Sequence, residues 1–500
     1  MNNIFDVIVV GGGGSGLAAA IGAAEEGARV IVIEKNSHLG GSSGMSVGSI
    51  SSSRTELQRK KGIIDNPDDH FRDLGLFAGP LEMRDNLELR RILVNEVPET
   101  VRWLEELGVV FYGPMPEPPH DKPRMHNIIP NSRAYIYYLW KECQRLGVVA
   151  ITSANVIEFI KSGDYVSGVR VSTDVGIKEY HTSCAVILTS GDYNNGKDLR
   201  SRFTNVPFDV EGINLNEGDG QKLGVLEGSE IINGDIVWGP LLRFLPPNKP
   251  SFVTKLPPFR PLMLFLRFAL NYFPAGLLRP FVMSFVTTFL APEKSLFQNG
   301  SILVNLAGER FVDEMDKPAF HVPTENGKKA YIIFDEQIAQ KFSAWPYFIS
   351  TAPGIAFAYL NDYRRTRKDI FFKADTIKEL AKKISVNPDN LSNTINKWNE
   401  NFKSTTPKNR SPDCKMLIQG PFYALGPVES RVLITDGGLK TNTFHQVLRS
   451  DGSIILGLYA AGASGQGGLL LEGHGHHLAW AFSSGRRAGR FAARTSKDPL

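Results

Sequence analysis

Five hundred residues, 42% hydrophobic and 22% charged, give room for roughly two to four domains and exclude a fibrous or disordered chain. Lys and Arg total 56 against 52 Asp and Glu; a net charge of +4 over this length, with no aromatic–basic stacking pattern, gives no ground for nucleic-acid binding. Cys143, Cys184 and Cys414 stand far apart without C-x-x-C spacing, which excludes a disulfide framework and a thiolate zinc or iron–sulfur site, so no metal is expected.

The chain opens MNNIFDVIVV, with no basic leader and no small-residue cleavage site, so the cytoplasm is the expected address. Residues 6–10 (DVIVV) predict a short buried strand. GGGGSG follows, placing Gly11, Gly13 and Gly16 in a G-x-G-x-x-G pattern, and LAAAIGAAEEG has helical spacing up to a stop at Gly27. Residues 29–33 (RVIVI) predict a second strand ending at Glu34. Strand, glycines, helix and terminal acid occur in the order a bound dinucleotide requires. Gly11 permits the tight turn, Gly13 lets the backbone approach a pyrophosphate, and Gly16 lets the helix pack on the strand. The helix N-terminus offers free N–H groups and partial positive charge to the phosphates. Glu34 can accept from both ribose hydroxyls, and an acid there disfavours the 2′-phosphate of NADP. Small residues then crowd KNSHLGGSSG, where they admit a second flat polar group; an NAD site would proceed to its next helix instead.

Further along, YGPMPEPPHDKPRMHNIIPNSR reads as a loop before a helix that begins near Ala134. Residues 256–296 are strongly apolar: between Leu262 and Ala291 the only charges are Arg267 and Arg279, and Pro274 and Gly276 leave halves too short to span a bilayer. With Arg260, Arg267 and Arg279 able to snorkel, this run fits a membrane surface, a subunit contact or a pair of buried helices. ADTIKELAKKI and PDNLSNTINKWNENF predict amphipathic helices capped at Asp375 or Asn390, and residues 403–412 a polar linker.

The pattern VIVVGGGGSGLAAAIGAAEEGARVIVIEKNSHLGGSSG resembles the fumarate reductase and 3-ketosteroid dehydrogenase flavoprotein superfamily. Other segments match in the same order: AVILTSG (185–191), EGDG (217–220), GSILVNLAGERFVDE (300–314) and TDGGLKTNTFHQVLRSDGSIILGLYAAGASGQGG (435–468), then HGHHLAWAFSSGRRAGR. The resemblance implies an α/β protein: a Rossmann-type FAD-binding domain from residues 1–232 and 436–500, with an α+β cap (substrate) domain inserted as 233–435. It implies that Gly11, Gly13, Ser15, Gly16, Glu34, Lys35, Gly41, Ser42 and Ser43 hold the ADP and pyrophosphate part of FAD. By the same comparison Ser190, Gly191, Asp219 and Gly462 flank the pyrophosphate and ribityl chain, and Gly475, His476 and Leu478 approach the flavin pyrimidine through backbone groups.

The sequence also departs from both branches. Fumarate reductases clamp a dicarboxylate with arginines and histidines, and the surrounding motifs put Ile434, Pro318 and Glu472 at three of those positions. A buried dicarboxylate would meet no bidentate partner and one like charge, at a cost of several kcal/mol. The ketosteroid branch's tyrosines fall on Leu471 and near Pro318 or Phe320, while its carbonyl-polarising glycine matches Gly475. The acid–base group therefore stays open among Glu472, His474, His476 and His477 of LEGHGHH and Tyr112, His120, His126 and Arg133 of the earlier loop. Tyr112, His126, Glu472, His474 and Gly475 are the catalytic candidates.

The expected function is an FAD-dependent oxidoreductase acting on a CH–CH or C=C bond α,β to a carbonyl, with a hydrophobic cyclic ketone such as a 3-ketosteroid as substrate. Hydride would be exchanged with flavin N5, and no second dinucleotide fingerprint is present, so a quinone or a protein is the expected electron partner. The alternatives are reduction of an unsaturated carboxylic acid anchored by Arg133 or Arg124, and a non-catalytic membrane-associated flavoprotein redox partner.

Overall fold

Unbroken β-branched runs such as VIVV and VIVI suit strands covered on both faces. They form β1 (Ile4–Val10) and β2 (Val30–Ile33), parallel neighbours joined by α1 (Gly14–Glu25), and Val7, Ile8 and Val9 are wholly buried. This computed structural model describes residues 3–495 apart from 248, 250, 289, 353–355 and 405–408. The sheet runs in the order Gln446–Leu448, Ile454–Ala460, Gly176–Leu188, β1, β2, Val149–Ile151, and the hairpin Ala154–Ser162 with Tyr165–Thr173 adds to Gly176–Leu188. Four parallel strands end level: Val10 pairs with Ile33 on one side and Leu188 on the other, and Leu188 pairs with Ala460. The segments that leave them start at Gly11, Glu34, Thr189 and Ala461, so four distant stretches of sequence open onto one sheet edge.

The small residues of α1 have a packing cause. The final helix (His476–Ala493) lies almost against its backbone: a Cβ on Gly22 would sit 2.3 Å from Arg486 O, one on Gly485 2.3 Å from Ser15 O, and one on Gly489 2.0 Å from Ala19 O.

A second, mainly antiparallel sheet has Phe422–Val432 as its spine. Ala330–Asp335 and then Ile302–Asn305 lie on one side, with Leu241–Phe244, Phe371–Ala374 and the short Glu211–Gly212 also pairing to the spine. Its core, including Ile332, Phe334, Tyr363, Leu380 and Trp398, is separate from those of the first sheet. The chain crosses between sheets through two paired straps, Ile231–Ile232 with Gly438–Leu439 and Val237–Trp238 with Ile434–Thr435. On those straps we propose the division into residues 1–232, 233–435 and 436–500, with Glu211–Gly212 reaching across it into the cap sheet.

Several local expectations change. The stretch read as a loop holds two strands, Val110–Met115 and Met125–Ile129, which pair with each other and with Ser49–Ser51. Their prolines interrupt the alternation that marks a strand. The apolar run splits into helices Arg260–Tyr272 and Ala275–Val286, so the break falls at Phe273–Pro274 and Gly276 sits inside the second helix. Among the described residues no helix is long and apolar enough to cross a membrane. Thr376, not Asp375, caps its helix by accepting from Glu379 N, and Asn387, not Asn390, accepts from Asp389 N and Asn390 N at the start of the next. The polar linker at 403–412 lies outside the described residues over 405–408.

Gly489→Val should lower stability by about 2 kcal/mol, because α1 cannot yield without disturbing β1. Gly276→Ala, where an added Cβ meets nothing within 4 Å, should leave the urea midpoint unchanged or slightly raised. Matching midpoints for the two variants would refute the close-packing account.

Candidate functional site

The level strand ends surround a cleft with about 1280 Å³ of empty space, its open mouth included. Gly11, Gly13, Gly14 and Ser15 line it after β1, Glu34, Lys35 and Asn36 after β2, and Thr189, Ser190, Gly191 and Asp192 after the third strand. Gly462 and Ala463 contribute from the fourth, Gly41, Ser42 and Ser43 from the small-residue turn, and Asp219 from a helix start.

Gly16 lies beneath this floor: a Cβ there would be 1.9 Å from Gly11 O, so only glycine lets α1 begin so close to the turn. The first N–H groups of α1 have no intrahelical acceptor. Ser15 Oγ, also in the cleft wall, is buried with no hydrogen-bond partner among the described residues. Donors of this kind around a glycine turn fit a pyrophosphate. Glu34 holds the turn in register, accepting from Gly12 N at 2.7 Å through Oε2 and from Asn36 N at 2.8 Å through Oε1; a carboxylate keeps lone pairs for ribose hydroxyls beyond these.

Lys35 lines the cleft but is held by Glu217 and Asp219 at 2.5 and 3.2 Å; burial works against its charge, and the two acids outweigh that and raise its pKa. Ser42 Oγ accepts from Asn214 Nδ2 at 2.7 Å and Asn216 Nδ2 at 3.0 Å. Ser43 Oγ accepts from Gly14 N, and Ser190 Oγ from Gly220 N. Asp192 is buried; its carboxyl is pushed up to about 6 by burial, against the pull of bonds from Asn216 Nδ2 at 2.7 Å and Thr435 N at 3.0 Å.

At the other end Ile434, Gln466, Leu471, His477, Leu478 and Trp480 line the cleft. Asp436 gathers three donors there: His477 Nε2 at 3.1 Å, Gln466 Nε2 at 3.0 Å and Trp238 Nε1 at 3.2 Å. The residues from Leu471 to Gly475 lead into the final helix. Gly475 has φ +89° and a Cβ there would lie 2.6 Å from Ser51 N, so no side chain fits. Beside it the His474 ring bonds through Nδ1 to Glu117 Oε1, which also accepts from His474 N at 2.9 Å. The histidine side chain is 44% exposed and the carboxylate only 4%. Glu472 is half-buried, with its pKa raised by burial and by the neighbouring Asp436.

Other expected site residues lie elsewhere. Gly475 and His476, expected to approach the flavin through backbone groups, stand next to the cleft-lining His477 and Leu478 but do not themselves line the cleft, nor do Glu117, Glu472 and His474; the His476 side chain is fully buried and directed at His120. His126 is on a strand, wholly buried, its Nε2 2.8 Å from Thr55 Oγ1 and its pKa lowered to about 4 by burial. Tyr112 is half-buried against the first core. Arg124 is fully buried and locked by Asp65 and Asp73, which removes it as an anchor for an acid, whereas Arg133 is exposed. Sequence reasoning missed Glu117, Asp192, Asn214, Asn216 and Asp436; each is an isolated polar residue whose partner lies far along the chain, so no spacing marks it.

Residues 6–251 and 271–470 match the family described as FAD binding domain. The chain is 26% identical to the vinyl phenol reductase of Lactiplantibacillus plantarum, over 98% of this chain and 96% of that protein. It is 25% identical to a 3-oxosteroid 1-dehydrogenase of Mycolicibacterium smegmatis, over 92% and 91%. A solved structure, the open conformation of a flavocytochrome c3 fumarate reductase, shares the fold with a TM-score of 0.74 at 23% identity, over 99% of this chain and 79% of that one.

Because Asp192 titrates at about 6 in the fold against 3.8 when free, its contribution to stability is complete below pH 3.8 and is lost as pH rises through about 6. In protein stripped of cofactor, melting temperature should fall across that window more steeply for the wild type than for Asp192→Asn. Parallel curves would assign the titration to another group.

Proposed function

The chain belongs to the FAD binding domain family and is an FAD-dependent oxidoreductase of the fumarate reductase and 3-ketosteroid dehydrogenase group; from that premise we propose that it acts on the C–C bond beside the carbonyl of a hydrophobic cyclic ketone. When bound, FAD supplies the two-electron hydride chemistry.

The observation that carries this reading is the His474–Glu117 pair. Glu117, cut off from solvent, fixes the Nδ1–H tautomer of His474 and leaves Nε2 of a half-exposed ring free to take or give a proton. That is the group needed at the carbon next to a carbonyl. The final helix starts one residue beyond Gly475, and its first N–H groups can stabilise the negative charge that develops on the carbonyl oxygen. Glu472, half-buried and held toward its protonated form, is a weaker choice because no base orients it.

Three observations support an apolar substrate. Ile434 and Leu471 line the cleft where the two branches carry polar anchors, and Arg124 is consumed by its own acids. The vinyl phenol and 3-oxosteroid enzymes are named for substrates that join apolar rings to an oxygen.

The helices Arg260–Tyr272 and Ala275–Val286 leave Phe265, Phe268, Tyr272, Leu277 and Phe281 more than half exposed, and Arg279 is neutralised by Asp362. This face suits a peripheral bilayer contact that delivers an oily substrate or a quinone. Of the two arginines expected to anchor an acid substrate, Arg124 is locked by its own acids and Arg133 stands on the surface.

His474→Asn should cut turnover of a cyclic ketone with a dye acceptor about 100-fold or more at unchanged flavin content, and Glu117→Gln about 10-fold. Undiminished turnover in His474→Asn would remove the proton carrier. Mixing oxidised enzyme with saturated cyclic ketones should bleach its yellow absorbance, while succinate-like acids should not; the reverse pattern overturns the substrate class. Phe265→Asp with Phe268→Asp should abolish co-sedimentation with anionic vesicles, and persistence of binding would exclude this face.

A further inference from the structure

We propose that His70, His120 and His476 form a binding site for a divalent transition-metal ion of zinc's class, joining the Pro67–Ala78 helix, the segment before Arg124 and the start of the final helix. The three residues are 0%, 7% and 0% exposed, and one ring nitrogen of each lies within 4.8 Å of the others. Their ring centroids make a nearly regular triangle with sides of 5.5, 5.7 and 5.2 Å. An imidazole bound at about 2.0–2.1 Å has its centroid roughly 3.2 Å from the metal, so three at tetrahedral angles stand about 5.2 Å apart. The closest nitrogens, His120 Nε2 and His476 Nε2, are 3.2 Å apart, close to a tetrahedral edge.

His70 supplies the independent sign of a missing ligand. It is fully buried, and neither ring nitrogen has a hydrogen-bond partner among the described residues. A core histidine kept for structure alone normally finds one. All three imidazoles are cut off from solvent, a setting that disfavours the imidazolium and keeps them in the neutral, ligating form.

The surroundings match a ligand set. His476 Nδ1 is 2.6 Å from Glu472 O, which fixes its proton there and frees Nε2. His120 Nδ1 lies 2.9 Å from Arg124 Nη1 and 3.8 Å from Asp73 Oδ2. Without metal, Arg124 donates to Nδ1 and the His120 proton bridges its Nε2 to His476. With metal on Nε2 that proton stays on the ring and moves to Nδ1, where Asp73 Oδ2, 3.8 Å away, would close in to accept from it in place of the Arg124 Nη1 contact, so binding changes the tautomer and releases no proton. Arg124 keeps its two bonds to Asp65. Phe77 stacks edge-on against His120 and His476 and excludes water from that side. Three neutral imidazoles without a ligating carboxylate select zinc, cobalt or nickel over magnesium or calcium.

The test uses FAD-loaded protein, dialysed against a chelator and titrated with Co²⁺. One cobalt per chain is expected, with ligand-field absorption to the red of the flavin band, displaced by Zn²⁺ and accompanied by a higher melting temperature. His70→Ala and His70→Gln should each weaken binding 100-fold or more while retaining flavin. Absence of the cobalt spectrum in wild type, or unchanged affinity in the flavin-retaining variants, overturns the site. Should the variants lose flavin, cobalt X-ray absorption of the wild type decides: imidazole scattering from about three rings supports the proposal, and an oxygen-only shell overturns it.

Discussion

The near-contact between the backbones of α1 and the final helix governs this molecule. Ser15 O, Ala19 O and Arg486 O each occupy the space where a Cβ would stand on the facing helix, so the two ends of the chain lock with almost no slack. Because α1 starts at the glycine turn and the final helix starts at His476, just after Gly475, their packing fixes the glycine turn relative to the segment that leads into the final helix. The contact rests on three glycines, Gly22, Gly485 and Gly489, each set against a backbone carbonyl of the facing helix.

On that frame the polar groups are placed by long-range pairs. Glu117 and His474 are 357 residues apart in sequence, His120 and His476 are 356 apart, and Asp192 meets Thr435 across 243. Burial then sorts their chemistry: it raises Asp192 and depresses His120, His126 and His476, while His474 and His477 each keep a partly exposed ring held by a buried carboxylate. An oriented, partly exposed imidazole among buried neutral ones is what distinguishes a proton carrier from a structural histidine.

The contrast explains what was legible in the sequence. The β1–α1–β2 unit was readable because its strand, turn, helix and acid lie within 34 residues and each is required by local sterics. Most of the residues expected to hold the cofactor fall in the wall of the cleft, since glycines and small hydroxyls mark where backbone can approach a ligand closely. The strands around Tyr112 and His126 were hidden by prolines, and with them the fact that His126 points inward. Glu117 lies in the loop-like stretch before Ala134, yet nothing local distinguishes an acid in PMPEPPH from a solvated one. The histidine triangle is a property of the fold alone.

The two straps through which the chain passes into and out of the cap lie side by side, while Glu117, His474 and the glycine turn all belong to the body below them. A swing of the proposed cap about that line would leave Glu117 and His474, the proposed acid–base pair, in place. On the proposed division and the proposed proton carrier, admission and reactivity would be mechanically uncoupled, so that cap loops could be exchanged while Glu117 and His474 stay as they are.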